Sequence, residues 1–202
     1  MVADGIYYAL ALAAGGIAVS WLSRPLYGLP LFILALFCLY FFRDPDREIP
    51  AGEVAVSPAD GKVVAVKRES ATLTRISIFL NIFDVHVNRS PIAGVMTEVK
   101  YQPGKFLVAS REEASSENEQ NTMTVRGNDG TTVVFKQIAG LIARRIVCYK
   151  KPGDKVATGE RIGLIKFGSR MDVVLGPEWD ILTQPGQRVS AGSSVLARRK
   201  AR

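Results

Sequence analysis

"KPGDKVATGERIGLI" at 151–165 and "QPGQRVSAGSSVLAR" at 184–198 decide how this chain folds. Each gives Pro-Gly, then Val, then Gly, with branched apolar residues following, and the offset between them is a constant 33 residues. Pro-Gly sets a tight turn, the second Gly sets another, and the residues between them suit a short strand. Upstream, "EVAVSPADGKVVAV" holds two alternating apolar runs split by the turn signal "PADG". "RISIFLNIFDVHV" alternates and is rich in Ile, Phe and Val, and "TTVVFKQIAG" and "RRIVCYKK" continue the pattern. "REEASSENEQN" is polar and reads as a loop, with Glu119 solvated.

The expectation is a mainly β (α+β) domain. It is a compact antiparallel sandwich or barrel-sandwich of the kind found in lipoyl and biotinyl carrier domains, with few helices. "RDPDREIPAG" is turn-rich and places a boundary near residue 45, giving segments 1–45 and 46–202.

The first segment is different in kind. Residues 5–22 carry no charge, nor do residues 29–42, and "SRPLYG" reads as a turn between them. As a helix the first run would reach about 27 Å at 1.5 Å per residue, close to the hydrocarbon thickness of a bilayer. The second run is shorter. "MVAD" lacks the basic start of a signal peptide. Trp21, Tyr27, Tyr40 and Arg43 stand near the ends of these runs, as interfacial anchors do. A membrane hairpin of two hydrophobic helices is the expectation, spanning or re-entrant. A buried hairpin in a soluble core is the alternative.

The chain has 26 Lys and Arg against 19 Asp and Glu, a formal net charge of +7. Only Asp4 and Arg24 are charged in the first 42 residues, so the excess lies in the second segment. That segment is drawn to phosphates or an anionic membrane surface, and it places the domain on the cytoplasmic side of the cell membrane. The basic residues form no aromatic-interleaved stripe, so nucleic acid is not an expected partner. Cys38 and Cys148 have no metal spacing and suit a reducing compartment.

His86 is the single histidine. One imidazole rules out zinc sites that need two or three, and no metal is expected. Asp84 stands two residues earlier; in a strand both side chains would share a face, where a carboxylate can fix the tautomer of an imidazole. Asp60, in the turn "SPADG", reads first as a turn cap. Lys166 to Val173, "KFGSRMDV", breaks a promising strand with Gly168 and Ser169. A serine hydroxyl needs a base to act as a nucleophile. Gly168 lets its carbonyl be approached and its backbone take strained angles. Attack by Ser169 on the preceding peptide bond, elimination and hydrolysis would leave a pyruvoyl group. Such a carbonyl forms a Schiff base with an amine and accepts electrons as a carboxylate leaves. Gly192–Ser193 lies where the echo has Gly159–Glu160 and reads as a structural turn.

"FFRDP", "SPADGKV", "DVHVNRSPIAG", "SSENEQN" and above all "KFGSR", in this order, resemble the short bacterial form of the phosphatidylserine decarboxylases. The last motif is similar to the family's self-cleavage element, usually with leucine where Phe167 stands. The resemblance implies a zymogen cut between Gly168 and Ser169 into chains 1–168 and 169–202. A covalent pyruvoyl cofactor would arise from Ser169. Phosphatidylserine would be the substrate, with phosphatidylethanolamine the product. It also implies an Asp-His-Ser arrangement of Asp60, His86 and Ser169. Long members carry a second histidine where this chain has Arg89, which leaves His86 both jobs or Asp60 another route; Arg89 would bind the lipid phosphate or carboxylate. The alternatives left open are a non-enzymatic membrane-tethered β module and a decarboxylase of another serine-headed lipid. The sequence leaves the homo-oligomeric state and the acyl-chain preference open.

Overall fold

A computed structural model describes residues 2–141, 145–166 and 169–200. The chain divides into two units, Met1–Asp46 and Arg47–Arg202. In the first, helix α1 (Ala3–Leu22) and helix α2 (Pro25–Phe41) form a hairpin. The turn expected over 23–28 is shorter, because α2 starts at Pro25. Arg24 is extended (φ −114°, ψ 140°), as a residue before proline prefers, and proline suits the first helical position. The helices approach closely at Gly16 and Gly28, where any side chain on Gly28 would run into Gly16 O and Ser20 Oγ. Leu10, Ile17, Trp21, Leu26, Ile33 and Leu36 all face outward. By length and composition α1 alone is long and apolar enough to cross a membrane; α2 has 17 residues.

The second unit is antiparallel β. In chain order its elements are β1 (Val54–Val56), β2 (Gly61–Arg68), β3 (Thr74–Leu80), β4 (Val87–Arg89), β5 (Gly94–Gln102), one helical turn α3 (Ala114–Glu117), β6 (Gln120–Arg126), β7 (Thr132–Ile138), β8 (Arg145–Cys148), β9 (Lys155–Val156), β10 (Arg161–Lys166), β11 (Ser169–Leu175), β12 (Trp179–Ile181), β13 (Arg188–Val189) and β14 (Val195–Arg199). Eight strands make one sheet in the order β13-β2-β3-β11-β7-β6-β5-β9. Two three-stranded sheets, β4-β10-β8 and β1-β14-β12, complete the unit. Alternation buries one face of the large sheet, where Ile76, Ile78, Met171, Val173, Phe135 and Met123 are fully enclosed. The mainly β expectation holds. Two details differ. Residues 120 and 121 of the expected polar loop open β6, where both are buried on opposite faces: Gln120 lines the cavity beside Arg75, and Asn121 bonds Gln137. The run "RISIFLNIFDVHV" is also not one strand. It stops at Leu80, because Asn81 and Asp84 close a turn: Phe83 N–H donates to Asn81 Oδ1 at 2.8 Å and Asn81 N–H to Asp84 Oδ2 at 2.9 Å.

The echo is half of a larger repeat. Gly153 and Gly186 share φ near +94° and +93°, and Gly159 and Gly192 share +74° and +79°. Gly153 N–H donates to Met96 O and Gly186 N–H to Val63 O, both at 2.8 Å. Gly159 N–H donates to Ser90 O and Gly192 N–H to Ser57 O, again both at 2.8 Å. The acceptors are themselves 33 residues apart, in "SPADGKV" (57–63) and "SPIAGVM" (90–96). These two segments bond to each other reciprocally, Val56 N–H to Pro91 O and Arg89 N–H to Pro58 O, each at 2.9 Å. Two copies of one motif thus clasp about a local two-fold axis.

Ile49 packs against the second glycine of both copies. A methyl group on Gly159 would strike Ile49, and the left-handed backbone there adds about 1–2 kcal/mol for any residue but glycine. Gly159→Ala is therefore expected to lower the unfolding midpoint of the full chain. Adding Ile49→Ala should return the steric part and not the backbone part, as read by thermal or denaturant unfolding of both variants.

Candidate active site

Strand β10 ends at Lys166, opposite Arg145 of β8, in one of the small sheets. Strand β11 begins at Ser169, opposite Leu80 of β3, in the centre of the large sheet. The chain changes sheets between these residues. Phe167 and Gly168 lie outside the described residues, so the expected cleavage position is described on its serine side. Ser169 shares the core face of β11 with Met171 and Val173 and is fully buried. Its Oγ has no hydrogen-bond partner among the described residues. A buried, unsatisfied hydroxyl costs roughly 1–3 kcal/mol. On the same face Gln137 Nε2 donates to Asn88 Oδ1 at 2.9 Å and accepts at Oε1 from Asn121 Nδ2 at 3.1 Å, so the interior here is polar. These amides carried no sequence signal beyond being polar within strands that otherwise alternate.

His86 is 2% exposed. Its backbone carbonyl accepts from Ile165 N–H at 3.3 Å, which sets it beside the last residues of β10. The imidazole is oriented by Asp84, but not as the same-face argument anticipated. Residues 81–84 are a turn rather than strand, and the partner of His86 Nδ1 is the Asp84 backbone carbonyl, at 2.9 Å. The Asp84 carboxylate instead pairs with Arg188 and caps Asn81 N–H. A carbonyl only accepts, so in this bond Nδ1 is the donor.

Asp60 precedes β2. Lys62 lies opposite Phe79 and Leu80 opposite Ser169, so Gly61, Leu80 and Ser169 share one row across three strands. Asp60 therefore stands at the same end of the sheet as Ser169. Its carboxylate accepts from Arg47 Nη2 at 2.9 and 2.8 Å and from Ala191 N–H at 2.7 Å. Arg89 is 6% exposed; its Nη1 donates to Gly159 O at 3.0 Å, and its Cδ lies near Gly192.

The opposite face of β11 holds a charged network that sequence reasoning missed. Arg170 Nε donates to Asp172 Oδ1 and Arg170 Nη2 to Ser77 Oγ, each at 2.6 Å, and Nη1 reaches Arg111 O at 3.0 Å. Arg75 pairs with Glu69, Glu112 and Asp172, and Ser115 Oγ donates to Asp172 Oδ2 at 2.6 Å. A polar cavity of about 610 Å³ opens beside it, lined by Glu69, Arg75, Glu112, Lys136 and Asp172 among others. Burial alone would lower the Arg75 pKa, but its bonds to Glu69 and Glu112 and the Asp172 charge raise it above its ordinary value. Burial works to raise the Glu112 carboxyl, yet bonds from Arg75 and Lys67 hold it below its ordinary value.

A carboxyl lowered in the folded state contributes stability that is complete above its unfolded pKa, about 4, and lost as pH falls through the folded value. Acidification through this range should lower the unfolding midpoint. Glu112→Gln should flatten that acid slope while leaving a chain less stable at pH 7.

The comparisons agree on where this chain belongs. The model of the family described as phosphatidylserine decarboxylase matches residues 34–197. The chain belongs to that family, and it is a decarboxylase, a lyase of phospholipid biosynthesis. A phosphatidylserine decarboxylase proenzyme of Solibacter usitatus (strain Ellin6076) is 72% identical over 199 residues, covering 98% of this chain and 97% of that one. Proenzymes of the same name from Erythrobacter litoralis (strain HTCC2594) and Saccharopolyspora erythraea (strain ATCC 11635 / DSM 40517 / JCM 4748 / NBRC 13426 / NCIMB 8594 / NRRL 2338) are 46% and 47% identical. They cover 96% and 82% of this chain and 86% and 74% of their own lengths.

Proposed function

We propose that this chain decarboxylates phosphatidylserine to phosphatidylethanolamine, using a pyruvoyl group that it makes from its own Ser169. The observation that carries the reading is the Ser169 hydroxyl, fully buried, without a hydrogen-bond partner among the described residues, at the first residue of a central strand. Such a position is costly to keep and suits a group that is consumed. The name "proenzyme" that these relatives carry supports a precursor that is processed into two chains.

In the cleavage, Ser169 Oγ attacks the Gly168 carbonyl carbon and the peptide C–N bond breaks, leaving an ester and a free amine on residue 169. Loss of the residue 169 α-proton expels the ester oxygen as the new carboxylate of Gly168. The dehydroalanine that remains takes up water and releases ammonia. His86 is the base we assign to the proton transfers, acting through Nε2 while Asp84 O holds Nδ1. Asp60, clamped by Arg47 and Ala191 N–H at the same end of the sheet, supplies the negative charge of the arrangement. The residues present fit the pyruvoyl group, since Ser169, whose Cα and Cβ would become it, is fully buried on a face that also carries the Gln137, Asn88 and Asn121 amides. Once formed, the group supplies an electron sink for the substrate amine. The enclosed site excludes water, and His86 Nε2 returns a proton to the carbon that loses carbon dioxide. Arg89 would meet a phosphate or carboxylate by exchanging its bond to Gly159 O. The apolar hairpin holds the enzyme at the cytoplasmic face of the cell membrane, where its substrate is.

Ser169→Ala should give one uncut chain by intact mass, without decarboxylase activity and without reaction with a carbonyl reagent. A cut and active Ser169→Ala protein would overturn the proposal. Asp60→Asn should slow cleavage at least tenfold, seen as persisting precursor on denaturing gels through a time course.

A further inference from the structure

The site end of the large sheet is a single edge. Leu80 ends β3, Ser169 opens β11, Ile138 ends β7, Gln120 opens β6 and Gln102 ends β5. The register sets them in one row: Ser169 opposite Leu80, Arg170 opposite Ile138, Ile138 opposite Gln120, Gln120 opposite Gln102. Three connections leave this edge, after β3, after β5 and after β7. Each carries apolar residues in the open: Ile82 and Phe83 (61% exposed), Val108, and Leu141 (57% exposed). Their described roots are held in place. The 81–84 turn is closed by the Asn81 and Asp84 bonds and by the Asp84–Arg188 pair. Asn118 joins the other two connections, donating from Nδ2 to Leu107 O at 2.9 Å and to Ala139 O at 2.8 Å while its Oδ1 accepts from Leu107 N–H.

We infer that these three connections form a rim that enters the apolar layer of a phospholipid bilayer around the mouth of the site, as a membrane contact additional to the hairpin. The inference rests on the lipid substrate proposed above. A two-chain lipid offers its headgroup to Ser169 only if its acyl chains keep an apolar surrounding during the reaction. Apolar side chains on both sides of Ser169 give that surrounding without extraction of the lipid. The formal charge of +7, all of it outside the hairpin, favours an anionic bilayer over a second copy of this equally basic chain.

The test uses the full chain in vesicles of phosphatidylcholine and phosphatidylglycerol, which contain no serine lipid. Phe83→Trp should gain fluorescence, beyond that of the two native tryptophans, that brominated acyl chains quench. Leu73→Trp, at the far end of β3 about 20 Å away along the strand, should give an added signal that is not quenched. A Phe83→Trp signal untouched by brominated lipid while Trp21 is quenched would overturn the inference, whether the hairpin or a second copy covers the rim. In a second arm, Phe83→Asp with Leu141→Asp should lose at least tenfold in kcat/KM on vesicle phosphatidylserine. It should keep its rate on a short-chain phosphatidylserine below its micelle concentration, with unchanged cleavage by intact mass. Equal loss on both substrates would also overturn it. If the wild-type chain turned over neither substrate, the proposed function would fall, and the quenching arm would still report on the rim.

Discussion

A guanidinium and a carboxylate, each 1% exposed at the side chain, stand two residues apart on the outer face of β11. Ions taken so far from water persist only when paired and fully hydrogen-bonded. Arg170 and Asp172 meet that demand by drawing in Ser77 from β3, Arg75 beyond it, and Ser115 and the Arg111 carbonyl from the connection between β5 and β6. That requirement fixes the first turns of β11 against its neighbour and folds the 111–117 segment over the sheet. Ser169, one residue before Arg170, is carried to its place on the opposite face by strand alternation alone. Rigid charge on one side thus presents a buried hydroxyl on the other.

Much of the fold was legible because its punctuation is Pro-Gly and Gly. The echo at 151–165 and 184–198 located four turns with matching left-handed glycines. Its other half went unseen because "SPADGKV" and "SPIAGVM" share only Ser, Pro and Gly in register; the bonding between copies is by backbone, which leaves no side-chain trace. The break after Leu80 was hidden for the opposite reason. Asn81 and Asp84 are ordinary turn residues, but the β-formers around them outweigh two polar letters in a pattern count.

The candidate site divides in the same way. Ser169 and His86 stand out as candidates from local chemistry, and the orientation of His86 does not, because its Nδ1 bonds a backbone carbonyl. The charged network had one visible cue, Arg170 and Asp172 at i and i+2 in an apolar strand, which puts both on one face. Arg75 lies 97 residues from Asp172. Only the register of β3 beside β11 joins them. The two-fold repeat adds a contrast: Asp60 occupies the position that Ala93 holds in the other copy, so a symmetric scaffold carries its carboxylate once.

Strand order has a mechanical corollary for a cut before Ser169. The carboxy-terminal fragment would hold β11 between β3 and β7, β13 on β2, and β14 on β1, every one a ladder shared with the larger fragment. The pairings that hold the fragment involve residues 169–175, 188–189 and 195–198, all beyond the cut. The two pieces would stay interlaced without any covalent link, parting only when the sheet itself melts, and they would be lost or recovered together.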